Sequence, residues 1–167
     1  GLVGERAGGR GPAGGAAVAE ANVAYALMHM QGSPQTMQQS PRYRDVVAEV
    51  SVYLQDRFSV CLAAGIDANR LLVDPGFGFG RTLDHNLPLL RALPSVRVQG
   101  CPVLVGLSRK TMVGKITGQP VGGRLSGSLA VLLLALQNGV DLVRVHDVAE
   151  SADVLKVWQA YNAHIAL

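Results

Sequence analysis

The stretch "LLVDPGFGFGRTLDHN", Leu71–Asn86, carries three apolar residues into an aspartate and then places three glycines and two phenylalanines in a loop. A short aliphatic run closed by an acid reads as a buried strand whose carboxyl end leaves the core. The same figure recurs on both sides of it. "VAYALMHM" (Val23–Met30), "PVLVGLS" (Pro102–Ser108) and "DLVRVHD" (Asp141–Asp147) are each followed by a loop and a helix-like segment. The ends of the four runs, Met30, Asp74, Ser108 and His146, fall 34 to 44 residues apart. That is the length of a βα unit and too long for hairpins. Continuous apolar strands predict a parallel sheet covered on both faces. A doubly wound sheet and a (β/α)8 barrel both satisfy this period.

The connecting segments support the same architecture. Arg42–Ala64 places Val46, Val47, Val50, Leu54, Phe58, Cys61 and Leu62 at helical spacing. Ser40 and Pro41 offer a cap and first-turn proline, and Gly65 a stop. A shorter apolar segment lies around Leu87–Leu93. Further helices are predicted from near Ser108, over about Ser128–Asn138 up to Gly139, and from Ala149 to about Tyr161.

Composition limits the function. At 167 residues the chain has the size of one domain, with 49% apolar and 5% aromatic residues. A net charge of +3 with scattered Lys and Arg suits small anionic ligands and argues against nucleic acid. Cys61 and Cys101 share no metal or disulfide spacing, and the histidines His29, His85, His146 and His164 show no ligand spacing. The longest apolar run, Leu129–Leu136, is too short to cross a bilayer, and no secretory pattern opens the chain, so a cytoplasmic protein away from membranes is expected. Residues 1–15 hold seven glycines and no initiator methionine. Residues 1–16 are therefore expected to form an unstructured leader, and 17–167 the domain.

Polar residues gather where a parallel architecture puts its ligand. His29 with Gln31, Asp74, Ser108 with Arg109 and Lys110, and Arg144 with His146 all stand at the carboxyl ends of the four runs. Asp74 can accept two hydrogen bonds from an amino-heterocycle, or it can be a turn aspartate before Pro75. Gly76, Gly78 and Gly80 form no dinucleotide fingerprint, but they let a ligand approach the backbone, with Phe77 or Phe79 as a flat face. "GLSRKTMVGK" lacks the glycine of a phosphate loop. It leaves Ser-Arg-Lys at a strand-to-helix passage, suited to an anion or else a solvated basic cap. Arg144 and His146 point the same way along a strand, either towards a diphosphate or carboxylate or, for Arg144, into pairing with Asp147 or Asp141.

In series, "LMHMQGSPQTMQ" (27–38), "LLVDPGFGFGRT" (71–82), "LVGLSRKTMVGKITGQPVGGRLSGSLA" (104–130) and "VRVHDVAES" (143–151) resemble dihydropteroate synthase, the folate-pathway target of sulfonamides. The resemblance covers roughly residues 18–162 and implies a (β/α)8 TIM barrel, of which this α/β chain resembles strands five to eight with their helices. It implies condensation of 6-hydroxymethyl-7,8-dihydropterin diphosphate with 4-aminobenzoate, assisted by Mg2+, without a covalent enzyme intermediate. By resemblance, Asp74, Lys110, Met28, Gly78, Phe79 and Arg144 bind the pterin. Arg144 and His146 hold the diphosphate, and Ser108 with Phe79 receives the aminobenzoate. No metal ligand is implied within this chain, and a homodimer is expected. A pterin-binding methyltetrahydrofolate methyltransferase, or a non-catalytic remnant, is the alternative.

The chain departs from the family in two places. Arg81 stands where the family usually has lysine, a change expected to be mild. The first half of the barrel is absent, with a metal-binding Asn, a Thr-Arg for aminobenzoate and two pterin contacts. The glycine-rich opening stands where the fourth strand's "NDV" is expected, a change a reading-frame shift or gene fusion would produce.

Overall fold

The computed structural model describes residues 2–4, 18–21, 23–30, 43–79 and 81–165. Among the described residues there are five strands and five α-helices, in the order β1 (Leu2–Gly4), β2 (Ala24–Met28), α1 (Val46–Ala63), β3 (Leu71–Asp74), α2 (Leu83–Arg91), β4 (Leu104–Val105), α3 (Thr111–Thr117), α4 (Leu125–Gln137), β5 (Leu142–Val143) and α5 (Val148–Ile165). All pairings are parallel. β1 pairs with β2 from Leu2↔Ala24, and β2 with β3 up to Met28↔Asp74. A single bridge, Val73↔Val103, carries the sheet on to β4, which pairs with β5 at Leu104↔Leu142.

Neighbours in the chain are thus neighbours in space, with no reversal of order. A doubly wound sheet reverses at a switch point; an arc of a barrel does not. The order selects the barrel. Among the described residues β1 and β5 do not pair with each other, so the arc stays open.

The predicted leader is corrected in part. Leu2–Gly4 pair in register with Ala24–Ala26 as a fifth strand, because a three-residue strand needs only backbone partners and β2 offers a free edge. The rest of residues 1–16, Gln31 and the Ser40–Pro41 cap lie outside the described residues.

Helix α1 begins at Val46 rather than Arg42. Asp45 is its cap: one carboxylate oxygen accepts from the amides of Val47 and Ala48 at 3.0 Å each. Glu49 reaches back to the amides of Arg44 and Asp45, so a reciprocal box outcompetes the proline signal upstream. Val46, Val50, Leu54, Phe58 and Cys61 form its buried stripe against the sheet, as their spacing predicts. The strands supply Tyr25, Leu27, Leu71, Val73, Val103 and Val105 to the same core. Each fully buried aliphatic side chain here contributes roughly 1.5–3 kcal/mol.

Helix α3 starts at Thr111, three residues later than the predicted start near Ser108, because Arg109 takes a left-handed φ of 55° and breaks helical continuity. Helix α4 starts at Leu125, three residues before the predicted Ser128, and stops before Gly139 as predicted. Helix α5 runs from Val148 to Ile165, longer than the sequence suggests.

Polar ties at the amino ends of the strands fix the arc from below. Arg70 donates to the carbonyls of Val18, Ala19 and Val23, joining the approach to β2 with the start of β3. Asp141 accepts from the Val103 amide at 2.7 Å and pairs with Arg97, which also donates to the Cys101 and Gly139 carbonyls.

Candidate active site

The carboxyl ends of β2 to β5 open on one side, and the loop after β3 forms the best-built wall. Two backbone positions make it possible. At Gly76, φ is +73° and a Cβ would sit 1.9 Å from the His29 carbonyl oxygen; at Gly78, φ is +80° and a Cβ would press on the Lys110 side chain at 3.1 Å. Only glycine lets the loop lie directly on the end of β2 and lets Lys110 pass over it.

Side chains then hold the loop from three sides. The Gly76 amide donates to Asp74 Oδ1 at 2.7 Å. Asn86 Oδ1 accepts from the Gly78 amide at 3.1 Å, while its Nδ2 donates to the Thr82 carbonyl at 2.8 Å. Arg81 donates through Nη1 to the Gly76 carbonyl at 2.6 Å, and its Nη2 meets His29 Nδ1 at 2.6 Å. Arg81 is only 6% exposed and lies 5.8 Å from the Tyr43 ring centroid. Burial pulls its pKa below the usual value, opposed by Tyr43 and Asp74. The arginine-for-lysine exchange therefore falls on a buried fork with two acceptors, which a single ammonium does not reproduce in kind.

The two phenylalanines divide. Phe77 is fully buried in the core. Phe79 stands partly exposed, with Lys110 Nζ 4.4 Å from its ring centroid. Lys110 also donates to the Phe77 carbonyl. Burial lowers its pKa to about 8, against the pull of Asp74 and with help from Arg144 and Arg81. Asp74 shifts the other way. Desolvation raises its pKa, opposed by the Gly76 amide, Lys110, Arg81 and Arg144. One carboxylate oxygen is committed to Gly76, leaving the other and a spare lone pair for a ligand. Met28 is Asp74's register partner and lies against the same loop, its Cγ 3.5 Å from where a Gly76 Cβ would be.

The far wall is built differently. Ser108 is buried, and its Oγ accepts from the His146 amide at 3.3 Å and meets His146 Nδ1 at 3.0 Å. The next residue in each loop repeats the tie, since Arg109 pairs with Asp147 through Nε and Nη2. That pairing holds the Asp147 carboxyl below its usual range. Ser108 thus supports His146 from the neighbouring loop. Asp147 and Asp141 are taken by Arg109 and Arg97, so Arg144 has no acidic partner among the described residues and stands exposed at the mouth.

The structure therefore brings Met28, Asp74, Gly78, Phe79 and Lys110 together, with Arg144 close enough to act on both Asp74 and Lys110. Arg81 and Asn86 are site supports that the sequence reading passed over. For Asn86 the signal was present: it occupies the same face of α2 as Leu89 and Leu90, where an amide has no reason to be buried unless it bonds something. Among the described residues no group of three or more His, Cys, Asp or Glu could hold a metal ion.

Comparison with known proteins shows what the chain as a whole is similar to. A sequence profile for the family described as "Pterin binding enzyme" matches residues 4–146. The dihydropteroate synthase of Neisseria meningitidis serogroup C is 47% identical over 148 residues, covering 87% of this chain and 52% of that protein. The crystal structure of dihydropteroate synthase from Stenotrophomonas maltophilia, with imidazole bound in its active site, superposes with a TM-score of 0.93 at 44% identity, covering 98% of this chain and 62% of that one. The Xanthomonas albilineans enzyme in complex with 7,8-dihydropteroate gives 0.89 at 46% identity, covering 98% and 60%. The chain spans about half the length of the curated relative and its fold is part of a TIM barrel. By a sequence profile that covers most of its length, the chain belongs to the pterin-binding enzyme family.

Proposed function

We propose that this chain carries the pterin and diphosphate half of a dihydropteroate synthase site. The observation that carries the reading is one carboxylate, Asp74, set among Lys110, Arg81 and Arg144 at the carboxyl ends of adjacent strands. A pterin amino-pyrimidine edge presents donors to an acid and a ring oxygen and nitrogen to a cation, and a diphosphate needs further cations beyond them. The relative from X. albilineans bound to 7,8-dihydropteroate supports this ligand class.

In the reaction, the amine of 4-aminobenzoate attacks the pterin methylene carbon. The carbon–oxygen bond breaks and diphosphate departs. Asp74 orients the pterin, Lys110 binds its ring oxygen and nitrogen, and Met28 and Phe79 pack on the rings. Arg144 and His146 offset the charge that develops on the leaving diphosphate. The described residues do not fit a divalent cation, because Asp74 stands among cations and Asp147 is already paired with Arg109. Mg2+, where it assists, would be held by the diphosphate together with groups other than these, and no step here runs through it. Closure of the barrel and the aminobenzoate contacts require the remaining half, so the isolated chain binds pterin without sustained turnover.

A cytoplasmic homodimer fits this reading. Among the described residues no helix is long and apolar enough to cross a membrane. An exposed apolar strip on α4 and α5, with Leu133, Val157 and Tyr161, offers a contact face.

Calorimetric titration of the chain with 6-hydroxymethyl-7,8-dihydropterin diphosphate tests the proposal. Binding should occur near pH 7 and weaken above about pH 8 as Lys110 loses its proton. Asp74→Asn turns a donor towards a donor and should weaken binding by roughly 2–3 kcal/mol, about 30- to 150-fold. No binding heat from the unaltered chain would reject the reading.

A further inference from the structure

The loop that presents Asp74 is fixed by a residue that touches no ligand in the reading above. Gly76 is clamped twice: its amide donates to Asp74 Oδ1 at 2.7 Å, and its carbonyl accepts from Arg81 Nη1 at 2.6 Å. The second arm of the same guanidinium meets His29 Nδ1 at 2.6 Å. A guanidinium has donors only, so His29 Nδ1 must be the acceptor and the ring proton must sit on Nε2. The His29 backbone completes the circuit, because its amide donates to the Asp74 carbonyl at 3.0 Å and its own carbonyl lies under Gly76. The His29 ring is packed edge-on against Tyr53 at 4.8 Å, so it cannot turn to offer a different nitrogen without repacking.

We propose that Arg81 is a positioning residue: it locks the Gly76 turn and the His29 tautomer, and through them the rotamer and ionisation of the Asp74 carboxylate. This rests on the reading of Asp74 as the pterin anchor. An arginine performs two tasks here with one rigid fork. Lysine would keep the charge but satisfy the two acceptors with a mobile ammonium, and methionine would satisfy neither. The other groups acting on Asp74 are Lys110 from the turn before α3 and Arg144 from the end of β5, and neither is altered by a change at position 81.

Long-range proton–nitrogen correlation spectra of histidine-labelled chain test this directly, with His29→Gln to assign the signal. The unaltered chain should show His29 as a single Nε2–H tautomer. In Arg81→Met the Nδ1–H form should appear, and the Asp74 carboxyl carbon should titrate at higher pH than in the unaltered chain. Arg81→Lys should restore most of the tautomer while leaving part of the Asp74 shift. His29 protonated on Nδ1 in the unaltered chain would overturn the proposal, and that measurement needs no folded variant. A folded Arg81→Met with both signals unchanged would overturn it too. An intact His29–Asp74 linkage in a chain that binds no pterin diphosphate would instead reject the functional reading and leave the positioning role standing.

Discussion

The loop after β3 and the loop after β5 face each other across the same mouth, yet they are held by opposite means. The first is buried. Phe77 anchors it in the core, two glycines seat it on β2 and under Lys110, and Arg81 and Asn86 bond its backbone from inside. The second is exposed at Arg144 and His146 and is supported from the side by Ser108 and by the Arg109–Asp147 pair. A flat heterocycle needs a wall of fixed shape, which burial provides. A diphosphate is read by charge, and charge tolerates a wall that can adjust. The difference shows in the two acids: burial raises the Asp74 pKa, while an arginine lowers that of Asp147.

The largest test of this contrast is within one loop. Phe77→Ala should destabilise by about 3–5 kcal/mol, whereas Phe79→Ala, two residues on, should cost less than about 1 kcal/mol and act on ligand binding instead. Denaturant unfolding would separate them, and equal losses would mean that Phe79 is also core. Gly76→Ala should come next at about 3 kcal/mol, from a left-handed backbone and a collision with the His29 carbonyl. A mild effect would show that the loop is not seated on β2.

The smallest effects distinguish the two acids by sign. Asp74 has a raised folded pKa, so its ionised form opposes folding, and acidification through that pKa relieves the opposition. Asp74→Asn, which keeps an acceptor for Gly76, should leave stability unchanged or slightly higher while binding is lost. Asp147 has a lowered folded pKa. Its stabilisation is present above the unfolded value of about 3.9 and disappears as pH falls through the folded value, so Asp147→Asn should lose stability near neutral pH and show less acid sensitivity. Unfolding midpoints between pH 3 and 7 would decide it. Shifts of the same sign in both variants would erase the contrast.

Some of this was legible in the residues and some was not. The four apolar runs, their polar ends and the stops at Gly65 and Gly139 could be read because strand burial and helix periodicity leave local marks. The tie from Ser108 to His146 was not legible, because a serine before Arg-Lys at a helix start looks the same whatever its hydroxyl meets. Only the pairing of β4 with β5 brings His146, 38 positions away, to its oxygen. Arg81 looked like a simple charge replacement, since nothing nearby in the chain announces that His29, 52 positions back, will be its second acceptor. Residues 2–4 showed no strand signal, because their pairing depends on the free edge of β2 rather than on their own side chains.

By itself, the sequence determined the βα repeat, the apolar faces and the motifs that mark a pterin-binding family. These follow from periodicity and from residue chemistry within a few positions. The tertiary structure alone decided that the strands run in barrel order, which phenylalanine is buried in the core and which stands at the mouth, and which charges are already paired. Those outcomes depend on which strand ends become neighbours, and a parallel sheet makes neighbours of residues that lie far apart along the chain.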